Sequence, residues 1–239
     1  MTRSDSRQPV VGSIEFSWRS FPLRGRTLRT LVTVFLVVVG VGVAVGWGVT
    51  GPLDGSVGTF DRGVASSLAA GRTPTWDGWT DAGSMSADSL VKIPAVIVLS
   101  ALFLWRWRRW NEAALLAGAL ALESAAFVTI SMLVGRERPA VQQLDSIPPT
   151  DSFPSGHAAA ALAFYGALAI IVFWHTGWRV LRLFATIGAV TMPLVVAASR
   201  VYRGMHHVSD VVAGLVLGGV SLWVLWTLTR PEGSTDRRR

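Results

Sequence analysis

The chain has 239 residues, of which 51% are hydrophobic and only 15% charged, against about 25% charged in a soluble domain. That balance excludes a disordered chain and argues against an ordinary soluble enzyme. The absence of cysteine excludes disulfide scaffolds, thiolate metal sites and cysteine nucleophiles. The net charge of +7 has either nucleic acid or membrane topology as its cause.

Crossing ~30 Å of hydrocarbon takes about 20 apolar helical residues, and six segments qualify. Residues 1–26 read as a polar tail. The first span, 29–50, is too long for a signal-peptide core and follows too much polar sequence to be one. Residues 51–89 are too long for a structureless loop. Within them Phe60, Val64 and Leu68 recur at i, i+4 and i+8, which predicts a short amphipathic helix lying on the outer surface. Trp76 and Trp79 suit the membrane interface. The remaining spans are 90–105, 113–134, 158–174, 180–198 and 211–228, and residues 230–239 form a second tail. The expected fold is all-α: a polytopic membrane protein with one six-helix domain over 27–229.

Orientation follows the arginines. Arg3, Arg7, Arg19, Arg24 and Arg26 precede the first span. Arg106, Arg108 and Arg109 separate the second from the third, and Arg179 and Arg182 the fourth from the fifth. Arg230, Arg237, Arg238 and Arg239 follow the sixth. With six spans these segments share one face, which the positive-inside rule places in the cytoplasm with both termini. The basic balance is thus a topological signature, and no nucleic-acid partner is expected.

Three polar clusters interrupt the apolar pattern: residues 135–139, just after the third span; 154–157, opening the fourth; and 199–210, between the fifth and sixth. The parity of six spans gathers all three at the outer face. Arg138 and Arg200 are permanently charged planar forks suited to phosphate oxygens. Pro154 suits a first helical turn, and Ser155 and Gly156 offer free N–H groups at a helix N-terminus, a ready anion site. His206 and Asp210 are four apart and share a face if the sixth helix begins by His206, so that the carboxylate can fix the imidazole tautomer. His157 can supply a proton to a leaving oxygen.

These residues resemble the type 2 phosphatidic acid phosphatase (PAP2) superfamily, which includes the vanadium haloperoxidases and bacterial acid phosphatases. Of its three motifs, Pro-Ser-Gly-His is complete at Pro154 to His157. Ser-Arg-x5-His-x3-Asp is complete at Ser199, Arg200, His206 and Asp210. Lys-x6-Arg-Pro is matched only at Arg138 and Pro139, because Ser131 stands where the lysine belongs. The resemblance implies a metal-independent, cofactor-free membrane phosphatase acting on a lipid phosphate or pyrophosphate at the outer face of the plasma membrane. His206 is its nucleophile, forming a phosphohistidine; Asp210 orients His206; and His157 acts as acid and then base. Arg138, Arg200, Ser155 and Gly156 hold the phosphoryl oxygens. Candidate substrates are undecaprenyl pyrophosphate, phosphatidic acid, phosphatidylglycerophosphate and a phosphorylated prenyl-linked sugar. Two alternatives come from other classes: a haloperoxidase using the same pocket for vanadate, and a lipid transporter with a vestigial site.

Several residues have two readings. Arg136 either replaces the missing lysine or is a solvated charge or headgroup contact, and Arg203 divides in the same way. Ser131 either touches phosphate or packs between helices. His207 competes with His206 for the nucleophile role, with the spacing to Asp210 favouring His206. His175 reads as an interfacial residue at the cytoplasmic end of the fourth span. Glu123, ionisable and in mid-span, is a functional candidate by position, but its depth favours a structural glutamate.

Overall fold

The computed structural model describes residues 25–231, with side chains from residue 27. The expected tails fall almost wholly outside this range. The described residues form eight α-helices: α1 (Gly25–Thr50), α2 (Thr59–Ala70), α3 (Pro74–Met85), α4 (Ser89–Trp107), α5 (Asn111–Val134), α6 (Gly156–His175), α7 (Arg179–Tyr202) and α8 (Val208–Thr229). Six stretches are long and apolar enough to cross a membrane: α1, the run containing α3 and α4, α5, α6, α7 and α8. The protein is an all-α polytopic membrane protein.

The organising helix is α6, which packs against α5, α7 and α8. Its buried face is a ladder of small residues, Ala158, Ala159, Ala161, Ala163 and Ala167, all wholly enclosed. Small side chains let helix backbones approach closely, which is how apolar helices associate where lipid removes the hydrophobic incentive. On α8 the matching positions are Gly214 and Gly218. A Cβ there would fall 2.3 Å from the Ser155 carbonyl oxygen and 2.2 Å from that of Ala159, so only glycine permits this contact. By contrast α1 lies at the periphery against α5 and α8, with Leu36, Val37, Val41 and Val45 exposed toward the lipid.

The segment between α1 and α4 holds more structure than the one amphipathic helix expected. A single π-turn over Asp54–Gly58 leads into α2, and α3 follows, with Thr73 accepting the Trp76 N–H and Pro74 in its first turn. Val64 and Leu68 pack inward against α7 and α8, while Phe60 is exposed. The inner face also carries Asp61, only 1% exposed. Trp76 and Trp79 stand exposed on α3. Arg72 staples this segment to the body, donating to the carbonyls of Tyr202 and Gln142.

Candidate active site

The C-terminal end of α5, the N-terminal ends of α4, α6 and α8, and the C-terminal end of α7 meet at one end of the bundle. Between them lies a cavity of about 370 Å³. It is lined by Arg138, Gly156, His157, Arg200 and His206, drawn from all three polar clusters, and also by Lys92, Glu123 and Ser124.

His206 precedes α8 and is 3% exposed. Gly204, at φ +72°, makes the left-handed turn that glycine adopts readily and that delivers it. Nδ1 of His206 lies 2.7 Å from the carbonyl oxygen of Ser152. Because a carbonyl can only accept, Nδ1 carries the proton, and Nε2, the ring's other nitrogen, keeps the lone pair. Burial, then the charges of Arg200 and Arg138, push the His206 pKa well below its ordinary value, against the contrary pull of the Ser152 carbonyl. The ring is therefore neutral, as a nucleophile must be.

The direct His206–Asp210 contact expected from their spacing is absent: Asp210 Oδ2 is 4.0 Å from His206 Nδ1. The reason is local. α8 begins at Val208, so His206 lies outside the helical repeat that would stack it on Asp210. His207 occupies the capping position instead: its N–H donates to Asp210 Oδ2 at 2.8 Å, with its Nδ1 at 3.2 Å. Asp210 also accepts from Ser152 Oγ at 2.6 Å. It thereby holds the residue whose carbonyl holds His206.

Pro154 precedes α6 rather than standing in its first turn: the helix begins at Gly156 and Ser155 is the cap, its Oγ accepting from Ala158 N; the Phe153–Pro154 peptide is cis. The Ser155 N–H is not free as expected, but donates to the Asp210 carbonyl at 2.9 Å. The Gly156 amide is claimed by no backbone acceptor among the described residues and lines the cavity. His157 Nε2 faces Asp88 Oδ2 at 3.9 Å.

The two arginine forks are anchored by their backs. Arg138 donates to the carbonyls of Met205 and Thr150. Arg200 Nη1 donates to Ser84 Oγ at 2.8 Å and Asp145 Oδ2 at 2.6 Å, while its buried Nε has no partner. Arg203 and Arg200 hold the Asp145 carboxyl below its ordinary pKa, although burial opposes them.

The three tentative phosphate contacts do not line this cavity. Arg136 is engaged with Asp61 Oδ2 at 2.9 Å, Ser209 Oγ at 2.7 Å and Asp210. Two buried carboxylates outcompete any turn toward the mouth. Arg203 is clamped by Asp145 and Asp81 and by the carbonyls of Asp77 and Leu144. Ser131 is wholly buried and bonds the backbone of Asp151. Glu123 departs from expectation in the other direction. It lines the cavity, with Oε1 accepting from Ser124 Oγ at 2.9 Å and Oε2 buried without a partner. At the opposite end of the bundle, His175 bonds the buried Glu112 and stacks on Trp107.

Sequence reasoning missed Ser152, Asp61, Asp145, Ser84 and Lys92. Asp61, Asp145 and Ser84 sit in loops or peripheral helices with no motif around them, and Ser152 lies two residues before Pro-Ser-Gly-His without belonging to it. Lys92 alone carried a signal: it is the chain's single lysine and lies inside an apolar span, where an ionisable group is a functional candidate by default.

The PAP2 superfamily profile matches residues 112–233, which contain every motif residue of the site. The chain is 33% identical over 143 residues to YbjG of Escherichia coli (strain K12), which carries undecaprenyl-diphosphatase in its name; the match covers 55% of this chain and 67% of that one. Its fold matches the transmembrane PAP2-type phosphatidylglycerolphosphate phosphatase of Bacillus subtilis with a TM-score of 0.68 at 20% identity, covering 88% of this chain and 98% of the other. It also matches LpxE of Aquifex aeolicus with a TM-score of 0.53 at 21% identity, covering 70% and 95%. Motifs, cavity and architecture agree: the chain belongs to the PAP2 superfamily, among its membrane phosphatases.

Proposed function

We propose that the protein hydrolyses a lipid phosphate or diphosphate at the outer face of the plasma membrane through a phosphohistidine on His206. The observation that carries this reading is the single cavity shared by His206, His157, Arg138, Arg200 and the Gly156 amide. The neutral His206 Nε2 attacks phosphorus in line. The bond to the leaving oxygen breaks, and protonated His157 gives that oxygen its proton. Water then attacks the phosphohistidine, His157 accepts a proton from it, and phosphate leaves with His206 restored. Arg138, Arg200 and the Gly156 amide bind the equatorial oxygens, where charge concentrates in the transition state, whereas the Ser155 hydroxyl expected to join them is wholly buried off the cavity and caps α6. The ring's tautomer is set by Ser152, and Asp210 positions Ser152.

Undecaprenyl pyrophosphate, phosphatidic acid, phosphatidylglycerophosphate and prenyl-linked sugar phosphates all present this chemistry, with a tail that stays in the bilayer. The names of the relatives support the first and third. The test is phosphate release in detergent over that panel, with His206→Ala and His157→Ala in parallel. An acid-labile phosphoenzyme that vanishes in His206→Ala supports the mechanism; full turnover in that variant overturns it. EDTA should leave the rate unchanged, and strong inhibition reversed by Mg2+ would contradict a site that neutralises charge with arginines.

A further inference from the structure

We propose that Lys92, on α4, is a phosphate ligand of this site and supplies the cationic charge missing at position 131. The inference rests on the phosphatase reading above and adds a residue from outside the three motifs.

Lys92 is 5% exposed, and what exposure it has opens onto the cavity it shares with Arg138, Arg200, His157 and His206. Among the described residues its ammonium makes no hydrogen bond and no ion pair within 4.0 Å. The charges that attract it, Glu123 and Asp88, act at longer range, and it is close enough to His157 for their charges to interact. A buried, unpartnered ammonium in an apolar span is costly, and an incoming anion is the partner that this geometry lacks.

Lys92 reaches toward the vacancy on α5 from deeper in the bundle. The two helices pack side by side and antiparallel. Lys92 is 15 residues from the α4 end at Trp107, and Ser131 is 20 residues from the α5 start at Asn111. At 1.5 Å rise per residue Lys92 therefore lies about 7.5 Å below Ser131. Side chains on a helix lean toward its N-terminus, which on α4 is the mouth of the site. Lysine is also the side chain suited to this role: a compact point charge on a flexible stem, needing no fixed fork geometry. The alternatives are removed by their own partners. Arg136 is held by Asp61 and Asp210, Arg203 by Asp145 and Asp81, and Ser131 by the Asp151 backbone.

The ligand is a phosphoryl group bearing close to two negative charges, whether on a lipid or free. The experiment measures the inhibition constants of orthovanadate and inorganic phosphate, with kcat/KM for phosphatidic acid, on the full-length protein in detergent. Lys92→Met is expected to weaken both inhibitors and lower kcat/KM by roughly ten- to a hundredfold, the usual worth of one charged hydrogen bond. Lys92→Arg keeps part of the binding. Ser131→Lys in the Lys92→Met background restores part of it, by returning an ammonium to the site from α5. Weakening of phosphatidic acid with unchanged inhibition by the free anions would place Lys92 on the lipid headgroup and overturn the proposal. So would inhibition constants within twofold of wild type. Wild-type protein that releases no phosphate from any lipid phosphate condemns the phosphatase reading instead, so the two failures are distinguishable. Should Lys92→Met not fold, Lys92→Met/Glu123→Gln, which leaves no unpaired buried charge, is compared with Glu123→Gln alone by the same criterion.

Discussion

The proton on Nδ1 of His206 is held by the carbonyl of Ser152, 2.7 Å away, and not by Asp210. Asp210 acts one step further back, through the Ser152 hydroxyl at 2.6 Å. The usual carboxylate–imidazole pair is thus replaced by a relay in which the backbone makes the last contact. The relay also passes to Arg136, which bonds Asp210 with one nitrogen and Asp61 with the other. It therefore couples His206 to the peripheral helix α2.

This relay predicts a graded mutational response. Ser152→Ala keeps the carbonyl on His206 but removes the hydroxyl from Asp210. A hydrogen bond to a charged group is worth about 1.5–3 kcal/mol, so kcat should fall roughly ten- to a hundredfold. Asp210→Ala removes an acceptor from Arg136, the Ser152 hydroxyl and the His207 N–H together and should fall further, by at least about a hundredfold. Steady-state kinetics on a lipid phosphate in detergent decide this, and a Ser152→Ala enzyme slower than Asp210→Ala would contradict the order.

The protonation of His206 has a consequence for pH dependence. Burial and the Arg200 and Arg138 charges hold its pKa well below 6.5. A lowered pKa means the neutral, attacking form persists as pH falls through 6.5 and is lost only through the lowered value. The acid limb of kcat/KM, which reports groups of the free enzyme, should therefore lie well below 6.5. In Arg200→Gln, which removes the second of those causes, it should move upward. A wild-type acid limb centred at 6.5 that Arg200→Gln does not shift would contradict the assignment.

Arg136→Ala should be a folding defect before it is a catalytic one. It strands two buried carboxylates, and removing one partner of such a pair costs about 3–5 kcal/mol. A lower thermal midpoint is expected, with no rescue by Ser131→Lys; Arg136→Ala/Asp61→Asn should recover part of the loss. The Ser209 and Arg136 hydrogen bonds keep Asp61 below its ordinary pKa of 3.8 against the effect of burial. Its contribution is therefore present above that value and lost as pH falls through the lowered one. A thermal midpoint unchanged in Arg136→Ala would refute this account.

Topology is open to a direct test because the chain has no native thiol. Ser146, exposed in the connection between α5 and α6, lies on the face that carries the site. Ser146→Cys should react with an impermeant maleimide in intact cells. Labelling that appears only after lysis would place the site in the cytoplasm and reverse the proposed orientation.

What sequence alone determined here rests on properties local to the chain. Six apolar stretches of spanning length, the arginine asymmetry between alternate connections, and two complete motifs followed from spacing and composition. The span parity that brings Arg138, His157 and His206 to one end needs no tertiary detail. The tertiary structure decided how competing partners are shared. Arg136 and Arg203 are as basic as Arg138 and Arg200, but Asp61 and Asp210 hold the first, and Asp81 and Asp145 the second, off the cavity that Arg138 and Arg200 line, and a helical repeat does not reveal such neighbours. Asp210 is four residues from His206, yet α8 starts two residues too late to stack them. Lys92 and Ser131 are 39 positions apart in the chain and lie on neighbouring helices near one mouth. Close packing of α4 on α5 makes them alternatives for one charge, and only a folded bundle expresses that relationship.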